Sequence, residues 1–95
     1  MQLGSQTPIT TGDTRRYRID YNGFLQFGEV LQSFTLSSSG PTSTVQGGFF
    51  DVTETQLFFF ATAGNLNEIF TVNVAIKTNY GETVNDTVQF KVTAP

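Results

Sequence analysis

The residues able to do chemistry are few in this 95-residue chain, and their spacing points away from catalysis. It has neither His nor Cys, which removes the commonest general base, the commonest metal ligand and every thiolate nucleophile. Its two lysines, Lys77 and Lys91, lie in stretches patterned as strands, so a Ser–Lys nucleophile is not indicated. The nearest carboxylate pairs are Asp51 with Glu54 and Glu82 with Asp86. Such pairs can run acid–base chemistry on a glycoside, but scattered surface acids account for these better. Asn65, Asn67 and Glu68 offer oxygen ligands in a spacing that matches no calcium loop. Gly47-Gly48 lacks the Lys and the helix of a phosphate loop. Asn85-Asp86-Thr87 fits a glycosylation acceptor, yet the opening residues show neither the basic start nor the apolar run of a secretory signal. The expectation is a protein made in the cytoplasm from Met1, not an enzyme, with no cofactor and no metal.

Binding is the chemistry that remains. A net charge of −3 argues against a nucleic-acid partner, whose capture needs many phosphate contacts. No window approaches the ~20 apolar residues that cross a bilayer, so no membrane partner is expected. Three of the five basic residues, Arg15, Arg16 and Arg18, fall together. Edge strands commonly carry such charges to discourage unwanted pairing; docking on an acidic surface is the alternative. The ten Phe residues pose a sharper question. Successive strand residues point to opposite faces, so in Phe58-Phe59-Phe60 either Phe59 or its two neighbours must leave the core. Phe49-Phe50 raises the same problem. Exposed aromatic residues usually mark an interface, although a bulge would also reconcile them. Tyr80, beside Asn79 and Glu82, has the makings of a sugar-binding platform, while a turn explains the same residues. The candidate protein interface is therefore Arg15, Arg16, Arg18, Phe49, Phe58, Phe59, Phe60 and Tyr80.

These residues need a scaffold, and the patterning describes one. Phe70, Val72, Val74 and Ile76 alternate with polar or small residues, as do Val88, Phe90 and Val92, with a break at Thr78-Asn79-Tyr80-Gly81 between them. That is an antiparallel hairpin with one face buried. Tyr17, Ile19 and Tyr21 alternate with Arg16, Arg18 and Asp20 in a first strand. A strand over Glu29 to Leu36 places Val30, Phe34 and Leu36 on one face. Phe24, Leu25 and Phe27 read as apolar plugs in the connection before it. Thr42 to Gln46 forms a short strand, Leu57 to Ala61 the most apolar one, and Ser37–Pro41 and Ala63–Asn67 read as loops. Short strands separated by turn signals mean a sandwich or barrel. Residues 1–14 show no such pattern and are expected to form a flexible N-terminal arm, leaving 15–95 as the folded domain.

Ile19-Asp20-Tyr21, Phe24-Leu25, Gly28-Glu29-Val30, Ala63-Gly64 before Glu68-Ile69-Phe70, Val72, Val74, Thr78-Asn79-Tyr80-Gly81-Glu82 and Phe90-Lys91-Val92 together resemble a family of small immunoglobulin-like proteins of tailed bacteriophages, the fibre–tail adaptors. Phe34 and Ala63 stand where members of that family carry Trp and Gly. The resemblance spans residues 17 to 93. It implies a single immunoglobulin-like β-sandwich of about seven strands. It also implies a non-enzymatic virion protein, present in multiple copies, that joins a fibre or other tail components. Capsid decoration and host-glycan adhesion are the alternatives.

Overall fold

The alternation foreseen between residues 69 and 92 builds the centre of the molecule. In the computed structural model, which describes residues 6–95, β6 (Ile69–Thr78) and β7 (Thr83–Thr93) form the expected antiparallel hairpin. Phe70 faces Phe90 and Val72 faces Val88 across it, and Phe70, Val72, Val74, Ile76, Phe90 and Val92 are all buried. The turn closes with Gly81 at φ +86°, where a side chain would be strained. The other strands are β1 (Thr7–Thr10), β2 (Thr14–Asp20), β3 (Leu31–Ser38), β4 (Thr44–Phe50) and β5 (Gln56–Thr62).

The seven strands make two sheets, ordered β1-β7-β6-β3 and β2-β5-β4. All pairs are antiparallel except β1 with β7. Strands two, five and four in one sheet, and seven, six and three in the other, are the immunoglobulin-like arrangement. Between the sheets lie Leu57, Phe59 and Ala61 from one side and the hairpin's apolar row from the other. Phe59 and Phe70 both pack on Phe90, the latter with stacked rings 5.0 Å apart. A polar pair enters this core: the Tyr21 hydroxyl donates to Asp86 Oδ2 at 2.6 Å. Asp86 takes an inward position of β7 opposite Val74, a placement its neighbours in sequence do not announce.

Three expectations are corrected. Residues 7–10 do not belong to an arm: they form β1, with Thr7 opposite Phe90 and Ile9, which is buried, opposite Val92. A four-residue strand containing Pro8 shows no alternation, and Pro is tolerated there because β1 is at a sheet edge. Residues 1–5 of the expected arm lie outside the described residues. In β3, Leu31 is inward along with Phe34 and Leu36, because the register shifts between Leu31 and Ser33 and reverses the parity. In the 21–30 connection, Leu25 packs on the core, but Phe24 is half-exposed and Phe27 fully exposed, so Phe27 plugs nothing.

The end of the sandwich that carries connections 21–30, 51–55 and 79–82 is cross-tied by backbone hydrogen bonds. Tyr21 N–H donates to the Thr55 carbonyl, Leu31 N–H to that of Glu54, and Asn79 N–H to that of Val30. The buried Glu29 carboxylate accepts from the Gln26 N–H and the Thr78 hydroxyl, contacts that hold it below the ordinary carboxylate range. At the opposite end, Glu68 accepts from the hydroxyl and N–H of Thr42 and from the Ser43 N–H.

Candidate functional site

The parity of β5 settles the phenylalanine question. Leu57, Phe59 and Ala61 are inward and fully buried, so Gln56, Phe58, Phe60 and Thr62 take the outer face of the three-stranded sheet. The expected interface role of Phe59 is therefore corrected: its ring is core, packed on Tyr17 and Phe90. The signal was in the sequence. Leu57 and Ala61 share the parity of Phe59, whereas Gln56 and Thr62 share that of Phe58 and Phe60.

In β4 the doublet Phe49-Phe50 is split by a bulge. The register with β5 shifts between Gln46 and Phe49, where Gly47 takes φ +68°. Phe50 then turns inward against Phe34, with ring centres 5.2 Å apart. Phe49 turns outward, opposite Phe58, and the two rings stack at 5.2 Å with an interplanar angle of 13°. Phe60 joins them at 6.5 Å from Phe49. Three aromatic rings thus form one cluster on an outer sheet face, with Phe49 still 43% exposed.

β2 supplies the charged border. Arg16 is opposite Phe60 and Arg18 opposite Phe58. The Arg16 guanidinium carbon sits 5.4 Å from the centre of the Phe58 ring, within cation–π range. Neither Arg16 nor Arg18 is ion-paired with a carboxylate among the described residues. Asp20 has the same parity at the end of the strand, but its carboxylate accepts from the Asn22 N–H. Arg15 does not belong to this face: it is opposite Ala61, on the parity of Tyr17 and Ile19, and lines a groove with Pro8, Ile9 and Asp13 at the seam between the sheets. Tyr80 is also elsewhere. It caps the β6–β7 hairpin of the other sheet, where its hydroxyl donates to the Phe27 carbonyl. The neighbouring Asn79 side chain is likewise engaged, accepting from the Val30 N–H and donating to the Gly28 carbonyl. Asn79 and Tyr80 of the sugar platform thus spend their polar atoms tying the hairpin to the 21–30 connection.

The two outer faces of the sandwich differ in kind. That of the four-stranded sheet carries Thr35, Ser37, Thr71, Asn73, Ala75, Lys77 and Gln89, with Ile69 half-exposed at its margin; it is largely small or polar and free of aromatic rings. That of the three-stranded sheet carries the aromatic cluster with its arginines. A groove of about 330 Å³ at the seam, lined by Thr7, Tyr17, Arg18, Ile19, Asp20, Phe59 and Val88, brings together no nucleophile and base. The carboxylates considered for acid–base work are separated by role: Asp86 is in the core, and Asp51 caps its own turn by accepting from the N–H groups of Thr55 and Gln56 and the Thr53 hydroxyl. Burial, first, and the Asp86 hydrogen bond, second, push the Tyr21 phenol well above its ordinary value. No protein-family model matches the chain, and no curated protein sequence matches it significantly.

Proposed function

We propose that this chain is a non-enzymatic structural protein of a bacteriophage particle, a tail accessory or adaptor protein that joins fibre or other tail components. The observation that carries the reading is the aromatic cluster of Phe49, Phe58 and Phe60, placed outside the core and bordered by Arg16 and Arg18. A chain that already fills its core with Phe59, Phe70 and Phe90 gains far less stability from three rings on an outer face than it would from burying them. Their use is complementarity with a neighbouring protein, where aromatic and Arg side chains concentrate binding energy. The rigid sandwich supplies the spacing, and the polar outer face of the second sheet keeps the assembly from spreading in the wrong direction. On this reading the protein is made in the host cytoplasm and resides in the virion, in several copies, with tail proteins as partners.

Immunogold electron microscopy of phage particles, with antibody raised against the purified domain, tests the proposal. Gold at the tail supports it. Gold over the head replaces it with capsid decoration, and gold on neither intact nor disrupted particles removes the virion assignment altogether.

A further inference from the structure

We infer that the aromatic face takes, as a partner, the 51–55 turn of a second copy of this chain, in a two-fold symmetric dimer. The inference rests on the docking role proposed for that face and names its occupant. Two observations carry it. The first is charge. Arg16 and Arg18 form a local positive border, without carboxylate partners among the described residues, on a chain whose net charge is −3. A ligand that is both apolar and acidic fits this face, and the chain itself carries such a surface.

The second observation is the turn joining β4 to β5. Val52 there is 99% exposed, directly after Asp51 and two residues before Glu54. Nothing in the turn is loose. Asp51 holds Thr53, Thr55 and Gln56 through its carboxylate, Glu54 N–H donates to the Asp51 carbonyl, and the Glu54 carbonyl accepts from Leu31. Glu54 is fixed at φ +56°, a left-handed conformation that costs a non-glycine residue about 1 kcal/mol or more. Strain of this kind collects at functional positions. Here it presents an apolar knob with an exposed carboxylate, since Asp51 is already engaged in its own turn.

Geometry then selects the symmetry. Val52 lies in the turn that directly follows β4, three residues after Phe49, and knob and face are taken as parts of a single interface. A two-fold axis places each knob on the opposite face at once: Val52 on the aromatic cluster, Glu54 on Arg16 and Arg18. Both contacts are satisfied twice and the assembly closes as a dimer. The guanidinium of Arg16, its carbon 5.4 Å from the centre of the Phe58 ring, keeps N–H donors for a carboxylate.

Sedimentation velocity of the whole chain over a wide concentration range, at low salt, tests this. A reversible monomer–dimer equilibrium is expected. The double variant Arg16→Glu/Arg18→Glu and the variant Glu54→Arg each bring like charges together and weaken the dimer by at least about tenfold. All three substitutions are on the surface, and circular dichroism verifies that the variants are folded. Mixed in equal amounts, the two variants regain dimerisation, because every contact of the mixed pair is again between opposite charges. Reversals that leave self-association unchanged, or a mixture that remains monomeric, overturn the inference. If the wild-type chain is monomeric throughout while polar variants of Phe58 fail to enter particles, the second copy is refuted and the docking face stands. If the chain dimerises as described and those variants enter particles normally, the dimer stands and the virion role of the face falls.

Discussion

Truncating Phe59 and Phe58 in turn separates core from surface at adjacent positions. Phe59 is wholly buried between the sheets, its ring centre 5.9 Å from Tyr17 and 6.5 Å from Phe90. Phe59→Ala removes that transfer energy and leaves a cavity that two facing sheets cannot close, a loss of about 3–5 kcal/mol. Domains of this size have total stabilities of about 5–15 kcal/mol, so the variant sits near the limit of folding. At about 4–8 °C per kcal/mol, the lower end of that loss already lowers Tm by about 12 °C or more. Phe58→Ala removes a ring stacked on Phe49 and covered by Arg16, contacts on an outer face that are worth about 1 kcal/mol. Urea unfolding followed by far-ultraviolet circular dichroism measures both, with an unchanged slope required for the comparison. Equal losses for the two variants, or a larger one for Phe58→Ala, would refute the assignment of inner and outer faces.

The buried pair of Tyr21 and Asp86 gives an alkaline prediction. Because the folded state holds the Tyr21 proton more tightly than the unfolded chain does, this contribution is complete below pH 10, the ordinary value of a tyrosine, and is lost as pH rises beyond it. The urea midpoint should therefore fall above pH 10, and Tyr21→Phe should flatten that fall. The same variant should cost about 1–3 kcal/mol at neutral pH, since Asp86 Oδ1 already accepts no hydrogen bond among the described residues and Oδ2 loses its donor. On the acid side, the Thr42 hydroxyl, first, and the N–H groups of Thr42 and Ser43 hold the Glu68 carboxyl below its ordinary value of 4.5. That contribution is present above pH 4.5 and is lost as pH falls through the lowered value. The midpoint should drop on acidification, and Glu68→Gln should make the drop shallower. In Gly64→Ala, the new methyl group would lie 2.6 Å from the backbone carbonyl carbon of Thr42, an atom with no freedom to move aside. A loss of at least about 2 kcal/mol in the same assay is expected; a neutral substitution would mean that the 39–43 and 63–68 connections are not in contact.

The central hairpin was legible because Phe70, Val72, Val74 and Ile76 keep strict parity over a long strand, and a one-residue slip would turn all of them to water. The same logic was available in β5, through Leu57 and Ala61, and in β2, where Tyr17 and Ile19 set Arg15 apart from Arg16 and Arg18. Bulges limit such reading. Gly47-Gly48 announces one, but nothing around Leu31 announces the shift that turns it inward beside Phe34. β1 was hidden because four residues bury little beyond Ile9 and owe their pairing to the hairpin they join. Of the interface, the adjacent phenylalanines revealed only that some of them must leave the core. Which of them meet on one face depends on register between β2, β5 and β4, a long-range property. The exposure of Val52 was equally hidden, since an apolar residue in a turn reads as anchored until the hydrogen bonds of Asp51 and Glu54 show the turn standing without it.

The docking role of the aromatic face is tested most directly by photo-crosslinking. A benzoylphenylalanine placed at position 58 keeps an aromatic ring on the three-stranded sheet, and the same residue at position 73 lies exposed on the outer face of the other sheet. Irradiation of assembled particles carrying each variant should yield discrete crosslinked protein from position 58 and little from position 73. Crosslinks from position 73 alone, or none from position 58 in particles that contain the protein, would contradict the assignment of that face as the docking surface.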